Sequence, residues 1–121
     1  MRNIGAGGLQ DLICAMVEGA GSSQEEAEQV SANVVKANLM GHDSHGVHLV
    51  PRYLENVRNN VLQPNAHVTV ESDLGPILQL HGNMGYGQII GAEAMELGVS
   101  RAAEMGVAIV ALRYSHHLGR I

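Results

Sequence analysis

A chain of 121 residues can bury a modest core and holds at most one ordinary domain. Seven Lys and Arg stand against twelve Asp and Glu, a formal net charge of −5 with no basic cluster, which argues against nucleic acid and anionic membrane surfaces. No apolar run approaches the ~18 residues needed to span a bilayer, and Gln10 and Asp11 interrupt any signal-peptide core, so a soluble cytoplasmic protein is expected. Aromatic residues make up 2% and all are Tyr, so aliphatic side chains must fill the interior. The single cysteine, Cys14, rules out an intramolecular disulfide and falls in a helical apolar pattern, as a small core residue does.

Leu9, Leu12, Ile13, Met16, Val17 and Ala20 recur at helical spacing and predict an amphipathic helix over 8–20, ended by Gly19 and Gly21. Ser22 and Ser23, each followed three residues later by Glu, offer two registers of a capping box for a second helix reaching about Leu39. A polar turn, Gly41 to Gly46, follows. Pro51 lacks a donor and clashes inside a helix, so a third helix starts near Pro51, or starts at Ser44 and bends.

Beyond the loop around Asn59, Asn60, Pro64 and Asn65, alternation predicts a strand over 67–71 and another over 77–80. A long helix from Gly87 to about Met105 confines its polar residues to one stripe, and is expected to be largely buried. Val107 to Leu112 shows no alternation, as expected of a strand covered on both faces. The fold class is therefore α/β: helices over about 1–60, then an α/β region over about 66–121 with short strands, a buried helix and a buried strand.

Three constellations could carry chemistry. Gly85-Tyr86-Gly87 with Gly91 resembles a loosened dinucleotide fingerprint, and Arg113 sits where a phosphate-binding arginine could follow. His81 to Met84 intervene between Leu80 and Gly85, however, where the fingerprint wants its turn at once. A glycine turn entering a tightly packed helix fits better. His42, His45 and His48 stand three apart, but no His-Glu-x-x-His motif supports zinc; solvation, helix capping, or a binding role for His45 are the alternatives. Ser44 lacks the Gly-x-Ser-x-Gly elbow of a hydrolase nucleophile. Ser115-His116-His117-Leu118-Gly119 follows the last strand, and carboxyl ends of strands are where open α/β sheets bind ligands.

Residues 37–47, Ala-Asn-Leu-Met-Gly-His-Asp-Ser-His-Gly-Val, and 115–121, Ser-His-His-Leu-Gly-Arg-Ile, together resemble the malate/L-lactate/ureidoglycolate dehydrogenase family, non-Rossmann NAD(P)-dependent 2-hydroxy acid oxidoreductases. The doubled histidine before Leu-Gly-Arg-Ile looks most like the hydroxycarboxylate dehydrogenase branch. The resemblance implies a homodimeric enzyme using NAD or NADP on a 2-hydroxy or 2-oxo acid such as malate or lactate. Members are much longer, so the chain is expected to be an amino-terminal portion, largely without the cofactor domain and inactive in isolation.

Carried over by position, His117 matches the catalytic acid/base, and His45, Gly119, Arg120 and Ile121 match residues that meet the cofactor. Tyr53 matches a tyrosine near the substrate. Many members carry a carboxylate-binding arginine where Leu49 stands here, which leaves Arg52, one turn further on, or Arg120 to supply the cation. No metal ligand is assigned. The rival readings are a non-catalytic α/β dimerisation or binding remnant of such an enzyme, and a His-rich metal-binding module.

Overall fold

A computed structural model describes residues 3–120, which form two compact units: one runs up to Asn65 and regains the chain from Gly119, the other is Ala66–Leu118. The first unit is helical. α1 (Ala6–Gly19) packs on α2 (Gln24–Leu39), and Ile13, Val17, Ala27, Val30 and Val34 are buried between them at the spacing the sequence predicted. α1 starts two residues earlier than expected, since Leu9 N–H already bonds to Gly5 O at 3.0 Å. Two 3₁₀ turns, Asp43–His45 and Val47–Leu49, lead into α3 (Val50–Arg58). Pro51 lies in the first turn of α3, where its missing N–H costs nothing, so the third helix takes the later of the two starts.

The capping box resolves onto Ser23, whose Oγ accepts from Glu26 N–H at 3.2 Å. Glu26 does not reach back to Ser23. Asn65 stands between them instead: its Oδ1 accepts from Ser23 N–H (2.7 Å), its N–H donates to Glu26 Oε2 (2.9 Å), and its Nδ2 donates to Gly21 O (2.9 Å).

The second unit is a three-stranded sheet in the order β1 (Thr69–Leu74), β2 (Ile77–His81), β3 (Ile109–Arg113). β1 and β2 form an antiparallel hairpin with a bulge between Val70 and Ser72. β2 and β3 are parallel, which demands a crossover, and α4 (Gly87–Met105) supplies it. β1 begins two residues later than the alternation predicted because Glu93 takes the preceding groups, His67 Nδ1 at 2.6 Å and Val68 N–H at 2.8 Å. Leu78, Leu80 and Ala94 form the core, flanked by Val68, Val110 and Leu112.

Two expectations are corrected here. α4 is buried only along Gly87–Ile90, Ala94 and Gly98, while Met95, Val99 (61% exposed) and Met105 face outward. β3 alternates instead of being covered on both faces, and Ile109 is 58% exposed. β3 is an edge strand with one neighbour, and α4 covers one face of it, with Gly98 against Val110. An unbroken apolar run therefore did not imply two covered faces.

Candidate active site

In the first unit the Gly41–Gly46 turn is organised by one residue of α2. Asn38 Nδ2 donates to Asp43 Oδ1 at 2.6 Å, and Asn38 Oδ1 accepts from Val47 N–H at 2.8 Å. The amide lies so close to Gly46 that a Cβ there would fall 2.5 Å from Asn38 Cγ, so any larger residue would push Asn38 off its two partners. Within this frame Ser44 Oγ and His45 Nδ1 are 2.9 Å apart, and the His42 and His45 rings sit 5.6 Å centroid to centroid. Arg120 joins the same unit and donates from Nε to His42 Nδ1 at 3.1 Å.

His45 is half-buried and Gly119 is buried in a left-handed turn (φ +78°). Tyr53 is 3% exposed and belongs to the core. Arg52 lies on the exposed side of α3 and makes no hydrogen bond or ion pair among the described residues. Ile121 lies outside the described residues. Thus His45, Arg52, Tyr53, Gly119 and Arg120 share the first unit, and His117 belongs to the second.

In the second unit, the chain leaving β3 runs beside the loop that follows β2. Gly82 N–H donates to Arg113 O (2.8 Å), Met84 N–H to Tyr114 O (2.8 Å) and His116 N–H to Gly85 O (3.2 Å). Tyr114 takes a left-handed backbone (φ +55°) and stacks its ring on His81 at 4.6 Å. Ser115 Oγ donates to His116 O at 2.9 Å. After these ties His116 is half-buried and His117 is exposed.

Arg113 is spoken for. Its guanidinium forks onto Glu71 at 2.8 and 2.7 Å and lies 5.3 Å over the Tyr114 ring. That hydrogen bonding holds the Glu71 carboxyl below the usual carboxylate range and raises Arg113 above its ordinary value. No phosphate role is left for it. The Gly85-Tyr86-Gly87 loop offers no phosphate cradle either, because the space over Gly87 is filled by the backbone of His116 and His117.

Among the described residues no group of three or more His, Cys, Asp and Glu could hold a metal ion, so the His-rich metal reading finds no ligand set. Cys14 is a free, half-buried thiol; burial, then Glu18 and Glu28, raise its pKa, the opposite of what activates a nucleophilic cysteine. Sequence reading passed over Asn38 and the partner of His42. Asn38 carried a usable signal: it is a weak helix former one turn from the end of α2, beside a polar turn.

Residues 4–121 match the family model described as malate/L-lactate dehydrogenase. Hydroxycarboxylate dehydrogenase B of Escherichia coli O157:H7 is 40% identical over 113 residues, 93% of this chain and 31% of that protein. A malate dehydrogenase of Pyrococcus abyssi is 32% identical over 92% of this chain and 31% of its own length. The solved structure of malate dehydrogenase from Pyrococcus horikoshii superposes with a TM-score of 0.90 at 28% identity, covering 98% of this chain and 34% of that one. The chain therefore spans about a third of the length of the relatives it matches. No helix among the described residues is long and apolar enough to cross a membrane.

Proposed function

The chain belongs to the malate/L-lactate dehydrogenase family, and on that premise we propose that it is part of an NAD(P)-dependent oxidoreductase acting on a 2-hydroxy or 2-oxo acid. The observation that carries this reading is the contrast at the end of β3, where His117 is open to solvent and His116 is half-buried and tied to Gly85. A bound nicotinamide supplies or accepts the hydride at the substrate carbon. His117 does the complementary work, giving a proton to the carbonyl oxygen in reduction and taking one from the hydroxyl in oxidation. An imidazole serves both directions because its two protonation states are both accessible near neutrality.

Arg52 of α3 is assigned to the substrate, a malate, lactate or related hydroxycarboxylate, with the neighbouring Tyr53, buried in the core, backing it rather than touching the substrate. The guanidinium of Arg52 can neutralise its carboxylate in place of the arginine that Leu49 replaces. His45, Gly119, Arg120 and Ile121 are assigned to NAD or NADP. Arg120 brings a cation, suited to a phosphate-bearing ligand, and the left-handed turn at Gly119 delivers it to that position. The working enzyme is proposed to be a cytoplasmic homodimer. The 121 residues alone are proposed to be inactive, since orienting cofactor against substrate supplies much of the rate and the chain covers 31% of its relatives' length.

The test is reduction of pyruvate or oxaloacetate by NADH or NADPH, using a polypeptide of full family length that contains these residues. Turnover that His117→Ala abolishes supports the reading. Turnover untouched by His117→Ala, or none with any 2-oxo acid, rejects it.

A further inference from the structure

The glycines around the start of α4 read at first like a nucleotide loop, and the space over them is already occupied by this chain's own backbone. A Cβ on Gly87 would fall 2.6 Å from His116 O and closer still to the carbonyl carbon and oxygen of His117. A Cβ on Gly82 would lie 2.8 Å from Tyr114 O and 3.2 Å from Ser115 Cα. Gly91 faces Leu118 Cδ2 at 3.1 Å, and Gly85 lends its carbonyl to His116 N–H at 3.2 Å. Four glycines thus line up under five consecutive residues, Tyr114 to Leu118, with the closest approach under His117.

We propose that Gly87 is a positioning residue, the floor of a backbone seat that fixes His117. This rests on the reading of His117 as the acid/base. Gly87 is buried in the first turn of α4, and the Cβ that any other residue would carry there points into the His116 and His117 carbonyls. The obstructing atoms are backbone, so they cannot rotate away as a side-chain tip can. Helix propensity alone would favour alanine over glycine here, so any loss in Gly87→Ala reports the contact and not the helix.

Gly98 provides the control. A Cβ there would meet Val110 Cγ2 at 2.8 Å, also too close for a real contact and on the same helix, but against a β3 side chain and not the histidine segment. Gly91→Ala is the graded case, since Leu118 can yield by turning its side chain.

The experiment compares Gly87→Ala, Gly91→Ala and Gly98→Ala in the 121-residue chain by thermal unfolding and by ¹⁵N spectra of the histidine rings, and in the full-length enzyme by kinetics. Gly87→Ala is expected to move the His117 ring resonances and lower kcat about 10²-fold at little change in KM, the scale of an ~1 Å misplacement. Gly98→Ala should lose stability while His117 stays as in the wild type, and Gly91→Ala should move His117 less than Gly87→Ala does. If Gly87→Ala does not fold, Gly91→Val displaces the same segment from the half-buried Leu118 side and carries the same expectation. His117 resonances unchanged in the folded Gly87→Ala chain, or shifted equally by Gly98→Ala, would overturn the seat. A full-length wild type without turnover rejects the dehydrogenase reading instead, and the ring spectra still decide the seat.

Discussion

Arg120 and His42 are 78 positions apart in sequence and meet through one hydrogen bond, Nε–H of the guanidinium to Nδ1 of the imidazole, at 3.1 Å. The guanidinium has no acceptor, so at this contact Nδ1 of the imidazole is the accepting nitrogen. The two residues come from the two segments that carry the family resemblance, the Gly-His-Asp-Ser-His-Gly turn and the terminal His-His-Leu-Gly-Arg. A guanidinium held at Nε keeps its two terminal nitrogens together as a fork, which suits a planar or tetrahedral oxyanion.

His42→Leu is expected to release Arg120, and His42→Asn to hold it, because the Asn carbonyl oxygen can stand near the Nδ1 position. The Arg120 Nε–H resonance checks this: protected from solvent exchange in the wild type and His42→Asn, and lost in His42→Leu. The stability change should be small, roughly 0.5–1 kcal/mol, as for other surface charge-assisted contacts. Protection that survives in His42→Leu would show that another group holds the arginine.

Asn65→Ala should cost about 1–3 kcal/mol, because two side-chain bonds are lost, Oδ1 accepting from Ser23 N–H and Nδ2 donating to Gly21 O, while the backbone N–H to Glu26 Oε2 survives. Asn65 also has φ +60°, a conformation that Asn tolerates better than most residues. Asn65→Gly keeps that backbone and removes the side-chain bonds. Denaturant unfolding should therefore rank wild type above Asn65→Gly, and Asn65→Gly above Asn65→Ala. Equal midpoints for the two variants would assign the whole loss to the bonds and none to the backbone.

The helices and their order were legible because each rests on local signals: 3.6-residue spacing, Ser at an N-cap, Pro in a first turn, Gly past a last one; the parallel pairing of β2 and β3 across α4 was not anticipated. Asn65 was not legible as a cap, since nothing near it in sequence shows that Ser23 and Glu26 are its partners. The faces of α4 and β3 failed for a related reason: apolar periodicity says which side chains shun water, and the number of layers present decides which of them are covered. In the candidate site, the motifs marked His45, His117 and Arg120 but not their supports. Asn38 acts through contacts 5 to 9 positions away and Gly87 through one 30 positions away, none of which follows from helical or strand spacing.

Acid should loosen the sheet before the helices. The Arg101 guanidinium hydrogen-bonded to Asp73 holds that carboxyl below its ordinary 3.8, and Arg113 holds Glu71 below its ordinary 4.5. Folded-state values are depressed, so the contribution is present above the unfolded values and is lost as pH falls through the folded ones. The window opens near pH 4 and runs downward. Both pairs are exposed and screened, so the effect is modest. Asp73→Asn and Glu71→Gln should each flatten the fall of Tm between about pH 4 and 2 and lose some Tm at pH 7. An acid limb as steep in the double variant as in the wild type would place the responsible carboxylates elsewhere.

Replacing the two adjacent histidines separates chemistry from architecture. His116 is half-buried, its N–H is bonded to Gly85 O and its carbonyl accepts from Ser115 Oγ, so its ring sits in a braced stretch of chain. His117 follows immediately and is exposed, the condition a proton-transfer group needs in order to meet a substrate oxygen. In the full-length enzyme, His117→Ala should lower kcat by about 10²–10⁴-fold, roughly 3–5 kcal/mol in barrier. His116→Ala should do the reverse, lowering Tm while leaving most of kcat. The neutral limb of the pH–rate profile should disappear with His117→Ala and persist with His116→Ala. If it disappears with His116→Ala alone, the acid/base is His116, and the braced ring is the one that turns toward substrate.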